Sequence, residues 1–119
     1  MAKRNTLRHR VLRMLLPAEL DQIHATDIAR RLGMSPSTLR RRLRAEHTSY
    51  QELLDSVRRY RCEKTLAQRW LPGKCIAGQL GYRQPNSFYR AFGKWTGMTY
   101  TQYKKIQQGV SVERTQRLY

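Results

Sequence analysis

At 119 residues the chain allows one domain, or two halves of about 50 residues that must share an element to complete their cores. It carries 24 Lys and Arg against 8 Asp and Glu, a formal net charge of +16 with a pI near 10.9. An excess of that size repels itself and calls for a polyanionic partner. The longest apolar run, Val11 to Leu16, is broken by Arg13. It falls far short of the roughly 18 to 20 apolar residues of a membrane span, and the basic start has no uninterrupted apolar stretch after it, so no secretory signal, no membrane partner and a cytoplasmic location are expected.

In chain order, Asn5 or Thr6 can cap a first helix with Leu7, Val11, Met14 and Leu15 at helical spacing, and Pro17 stops it. Thr26 is expected to cap a short second helix with Ile28, Ala29 and Leu32 inward. Gly33-Met34-Ser35 turns the chain, and Ser35-Pro36 has the cap and first-turn residues of a third helix running to about Glu46. Leu39 and Leu43 face inward there, which leaves Ser37, Thr38, Arg40, Arg41 and Arg44 outward. Ser49 opens the longest helix, to about Trp70. Its stripe of Leu53, Leu54, Val57, Cys62, Leu66 and Ala67 is flanked by Arg58, Arg59, Arg61, Lys64 and Arg69.

Leu71-Pro72-Gly73 ends that helix. Lys74 to Leu80 reads as a short helix and Gly81-Tyr82 as its turn. Pro85 starts a helix with Phe88, Phe92 and Trp95 inward and Asn86, Ser87, Tyr89, Arg90 and Lys94 outward. A closing helix from Thr99 to about Gln107 would be anchored by Tyr103 and Ile106. Residues 108–119 show no period and are expected to fray. The aromatic residues Phe88, Phe92, Trp95 and Tyr103 fall at core spacing, Tyr82 at the turn, and Tyr89 one residue off the stripe.

The two halves echo each other. Ala29, Leu32 and Gly33 recur 48 positions later as Ala77, Leu80 and Gly81. With one residue inserted after the glycine, Leu39, Arg41 and Leu43 answer to Phe88, Arg90 and Phe92. A short helix, a glycine turn and a second helix, repeated, is a doubled helix-turn-helix pattern. The expected fold is therefore all-α, with about seven helices. It comprises a first helix-turn-helix subdomain (1–47), a linker helix (48–71), a second subdomain (72–107) and a tail (108–119).

Six of the 17 positions from Arg30 to Glu46 are Arg, and inside this frame such a run points to phosphate contact. Twenty residues of helix span about 30 Å, close to the roughly 34 Å between successive major-groove faces. One rigid linker helix could thus hold both units on one side of a duplex, and the chain alone would bind as a monomer. Cys62, Cys75, His9, His24 and His47 have no metal-ligand spacing, and neither a nucleophile motif nor a phosphate-binding glycine loop is visible. No metal, cofactor or enzymatic activity is expected.

Three blocks carry a resemblance: L-G-M-S-P-S-T-L-R-R-R-L at 32–43, S-Y-Q-E-L-L-D-S-V-R-R at 49–59, and L-G-Y-R-Q-P-N-S-F-Y-R-A-F-G-K-W-T-G-M at 80–98. In these the chain resembles the DNA-binding domain of the AraC/XylS family of bacterial transcription regulators. The resemblance implies seven helices and two recognition helices in adjacent major-groove segments of promoter DNA, with RNA polymerase as a further partner. It also implies base contacts from Ser37, Arg40 and Arg41 in the first unit, and from Pro85, Asn86, Tyr89 and Arg90 in the second. DNA backbone contacts would come from Ser35, Arg44 and Lys94.

The chain departs from the family pattern at Gly73, Cys75 and Gly78, at His47 where a glycine is usual, and at Tyr100 where a proline is usual. Gly73 and Gly78 predict a more easily opened first helix in the second unit. A basic protein that coats RNA or the nucleoid without sequence choice is the alternative reading. A helix starting almost at the first residue favours an excised carboxy-terminal domain over a free-standing regulator.

Overall fold

The computed structural model describes residues 6–107. Asn5 and the expected tail at 108–119 lie outside the described residues. Seven helices follow one another, with no strand among the described residues. They are α1 (Leu7–Leu15), α2 (Ala25–Arg31), α3 (Pro36–Ala45), α4 (Tyr50–Gln68), α5 (Gly73–Gln79), α6 (Pro85–Thr96) and α7 (100–107).

Local chemistry sets the helix starts. Thr6 Oγ1 accepts the His9 N–H, Ser35 Oγ accepts the Thr38 N–H, and Ser49 Oγ accepts the Glu52 N–H. The α2 cap differs from the sequence expectation, because His24 occupies it and Thr26 lies exposed in the first turn. The reason is three residues downstream. The Asp27 carboxylate accepts the His24 N–H at 2.9 Å, the reciprocal bond of a capping box, whereas a cap at Thr26 would have Ala29 at that place.

Two apolar cores form, and α4 serves both. Leu53, Leu54 and Val57 join Leu7, Val11, Leu15, Leu20, Ile28, Leu39 and Leu43 in the first. Cys62 and Leu66 join Ile76, Leu80, Phe88, Phe92 and Tyr100 in the second. Neither half has enough apolar surface of its own, and a single helix completes both. Ala67, read as part of the stripe, is exposed, because α4 ends at Gln68 and Arg69 is already extended. Trp70 thereby leaves the helix and stacks on Tyr100 at 4.4 Å between ring centroids. Ile106, read as an anchor, is 51% exposed. Tyr100 and Tyr103 hold α7 instead, each edge-on to Phe92 at 5.1 Å. Tyr100 also donates its hydroxyl to the Leu71 carbonyl at 2.6 Å. Burial raises its pKa, so the phenol stays a donor.

The two halves are joined by more than the continuity of α4. Arg61 donates to the carbonyls of Leu15, Leu16 and Ala18 at the end of α1. Arg58 donates Nε–H to the Leu80 carbonyl at 2.8 Å and Nη2–H to Gly81 at 3.2 Å, with its guanidinium 4.2 Å above the Tyr82 ring. Each cation meets the negative end of a helix and satisfies carbonyls that the helix leaves over. At Gly81 the second turn abuts the first half directly. A Cβ there would stand 2.5 Å from the Leu20 carbonyl oxygen and 2.7 Å from its carbon.

Candidate nucleic-acid interface

The repeated motif is a repeated hydrogen-bond pattern. Gly33 and Gly81 take φ of 71° and 86°, the left-handed region where glycine carries no Cβ penalty. In the first turn the Met34 N–H reaches back to the Ala29 carbonyl (3.0 Å) and the Gly33 N–H to Arg30 (3.0 Å). In the second, Tyr82 reaches Ala77 (2.9 Å) and Gly81 reaches Gly78 (3.1 Å). Both are Schellman closures, and the recurring alanine both supplies the accepting carbonyl and packs without bulk against the next helix. His47 ends α3 by the same pattern at φ 62°, with Thr48 bonded to Leu43 and His47 to Arg44.

Each turn throws one helix outward. On α3, Leu39 and Leu43 are buried, while Ser37, Arg40, Arg41, Arg42 and Arg44 are exposed. Helical spacing puts Ser37 and Arg41, four residues apart, on the crest opposite the buried pair. Arg40 and Arg44 flank that crest along a cleft lined by Pro36, Leu39 and Tyr50. None of these arginines has a carboxylate partner among the described residues, so α3 presents uncompensated guanidinium groups. Ser35 is exposed at the start of α3, and its hydroxyl is engaged by Thr38, accepting from the backbone N–H and donating to Oγ1 at 2.9 Å.

On α6, Phe88 and Phe92 are buried, Trp95 is half-buried against them, and Asn86, Arg90 and Lys94 are exposed along one row at four-residue intervals. Pro85 is half-buried at the first turn. Tyr89 is 38% exposed but not free. Its ring lies 5.6 Å from that of Phe88 and 6.1 Å from that of Tyr100, and its hydroxyl end is turned toward Gly73. Ser37, Arg40, Arg41, Arg44, Asn86, Arg90 and Lys94 thus fall on the outer arcs of the two helices that follow the glycine turns, while Ser35 caps the first of them, Pro85 is half-buried and Tyr89 folds back toward Gly73.

Sequence reasoning did not find the residues that hold these helices in place. Arg58 and Arg61, which in the sequence only flank the apolar stripe of α4, close the ends of α5 and α1. Glu46, at the end of α3, accepts the N–H groups of Leu7 and Arg8 at 3.0 Å each and so caps α1. Among the described residues no His, Cys, Asp and Glu group could hold a metal ion. No described helix is long and apolar enough to cross a membrane.

Comparison with known proteins gives consistent results. Residues 28–106 match the family described as Helix-turn-helix domain. The chain is 38% identical over 96 residues to the ornithine utilization regulator of Pseudomonas aeruginosa, covering 81% of this chain and 28% of that protein. It is 40% identical over 102 residues to the HTH-type transcriptional regulator VirS of Mycobacterium tuberculosis, covering 83% of this chain and 29% of that one. The chain thus spans less than a third of the length of these relatives. Among solved structures, a DNA-binding transcriptional dual regulator from Escherichia coli K-12 superposes with a TM-score of 0.78 at 31% identity, over 87% of this chain and 94% of that one. The transcriptional regulator CdpR from Pseudomonas aeruginosa does so with a TM-score of 0.78 at 34% identity, over 87% of this chain and 33% of that one.

Proposed function

We propose that this chain, which belongs to the AraC-type helix-turn-helix family of transcription regulators, binds one double-stranded promoter site in sequence-specific fashion, with α3 and α6 in adjacent major-groove segments. The observation that carries the reading is the pair of like-built turns, each followed by a helix whose outer arc is polar and, among the described residues, free of ion pairs, mounted on the two halves of one helix. Nineteen helical residues make α4 about 28 Å long, close to the roughly 34 Å that separates successive major-groove faces.

Ser37, Arg40 and Arg41 are assigned to base edges in one groove segment, and Pro85, Asn86, Tyr89 and Arg90 in the next. Arg suits guanine and Asn suits adenine by paired hydrogen bonds. Pro85 and the ring of Tyr89 can offer only apolar contact there. Ser35, Arg44 and Lys94 are assigned to phosphates, which set register and affinity without reading sequence. On this reading the chain engages DNA as a monomer on the nucleoid, next to RNA polymerase, and carries no catalytic function.

Selection of bound duplexes from a random pool tests it. The expected product is a site of about 20 base pairs with two unlike halves one helical turn apart. Recovery of unenriched sequence, with binding that depends on salt alone, would establish a coating protein instead.

A further inference from the structure

Gly73 opens α5 and is buried. The space beside it is filled by Tyr89, from α6. A Cβ on residue 73 would lie 2.6 Å from Cε1 and 2.7 Å from Cζ of the Tyr89 ring, and closer still to its hydroxyl oxygen. Two heavy atoms of this kind do not approach so closely, so a side chain at 73 and the present orientation of Tyr89 exclude each other. The ring is held on its other sides by Phe88 and Tyr100, and it forms one wall of a cleft with Gly93, Met98 and Thr99. The Tyr89 ring thus occupies the space beside the absent side chain at the start of α5. The missing volume is supplied by a residue that, by helical spacing, stands one turn from Pro85 and beside Arg90.

We propose that Gly73 is a specificity-determining position of the second unit. By lacking a side chain it lets Tyr89 fold back onto α5, so that Asn86 and Arg90 carry the polar base readout of α6. Gly73 itself touches neither base nor phosphate and acts as a positioning residue through Tyr89. The inference rests on the reading of α6 as a groove-facing helix, and it adds which of its side chains can donate there. With a methyl group at 73 the ring must swing outward, since the buried Phe88 and Tyr100 leave it no inward alternative. Its hydroxyl then enters the space that Asn86 and Arg90 face.

Duplex selection with Gly73→Ala, Tyr89→Ala and the double variant tests this beside the parent protein. Gly73→Ala is expected to change the preferred base at one or two positions in one half of the site, by about five- to tenfold in relative affinity, and to leave the other half untouched. The double variant should lose that change and match Tyr89→Ala. An unaltered preference in Gly73→Ala, an even loss of affinity for every sequence, or a changed preference that survives in the double variant would each overturn the proposal.

One measurement holds even if Gly73→Ala fails to fold. In the free protein a nuclear Overhauser effect should join the Tyr89 ring protons to the Gly73 Hα protons, and its absence would overturn the packing. A parent protein that selects no sequence would refute the promoter-binding reading, while the Overhauser measurement still decides the packing.

Discussion

Gly33 and Gly81 are equivalent positions of a repeat, and the structure predicts that alanine is tolerated very unequally at the two. Both take positive φ, 71° and 86°, so both substitutions meet the left-handed penalty of about 1–2 kcal/mol. Alanine also narrows the unfolded ensemble, which offsets about 0.5 kcal/mol in each case. Around Gly33 a new methyl group meets nothing within 4 Å. At Gly81 it would stand 2.5 Å from the Leu20 carbonyl oxygen and 3.0 Å from the Asp21 nitrogen. These are backbone atoms, so relief requires moving one half of the molecule against the other, at about 1–3 kcal/mol for overpacking of this kind.

Gly33→Ala should therefore lose about 1 kcal/mol and Gly81→Ala about 2–4 kcal/mol. Guanidinium denaturation followed by far-ultraviolet dichroism resolves the gap. At a slope of about 3 kcal/mol/M, 2 kcal/mol separates the midpoints by about 0.7 M. Equal midpoints, or a larger loss at Gly33, would refute the claim that the two halves abut at the second turn.

Removal of the partly buried Arg58 guanidinium, whose side chain is 12% exposed, should cost about 2–4 kcal/mol, since it strands the Leu80 and Gly81 carbonyls. Arg59→Ala, at an exposed pair with Glu63, should stay within about 0.5 kcal/mol in the same denaturation assay. Gly78→Ala should stabilise by about 0.5–1 kcal/mol, because the site is helical, exposed and open, and should slow hydrogen exchange across α5. At pH 8 a thiol reagent should modify the exposed Cys75 at once and Cys62 only on unfolding, because burial pushes the Cys62 thiol up to about 12. Burial raises the Tyr82 phenol from 10.0 to about 12 as well, so its protonated form is favoured in the fold. Its contribution is complete below pH 10 and lost as pH rises through about 12. The alkaline fall in melting temperature should be shallower in Tyr82→Phe, and an equal fall would contradict the assignment.

What the sequence determined alone is whatever depends on spacing within one element. Leu39 and Leu43, or Phe88 and Phe92, lie four residues apart, and that interval by itself selects a buried face and leaves Arg41 and Arg90 on the other. The glycines are legible for the same local reason, because few other residues accept their φ, and the recurrence of Ala29-Leu32-Gly33 marks the second turn as a copy of the first. The outer arcs that make up the candidate interface follow from these two rules.

The partner of each polar group across long stretches of chain is set by tertiary packing. Arg58 bonds a carbonyl 22 residues away, Arg61 one 45 away, and Glu46 caps a helix 39 residues before it. A charged residue on a helix carries no local mark that separates a solvated role from these, since both satisfy the same 3.6-residue period. Tyr89 illustrates the limit within the interface itself. Its spacing puts it off the apolar stripe and on the recognition arc, yet the space left by Gly73, 16 positions earlier, turns its hydroxyl away. Volume complementarity between two helices is a property of the packed pair, and no period along either helix contains it.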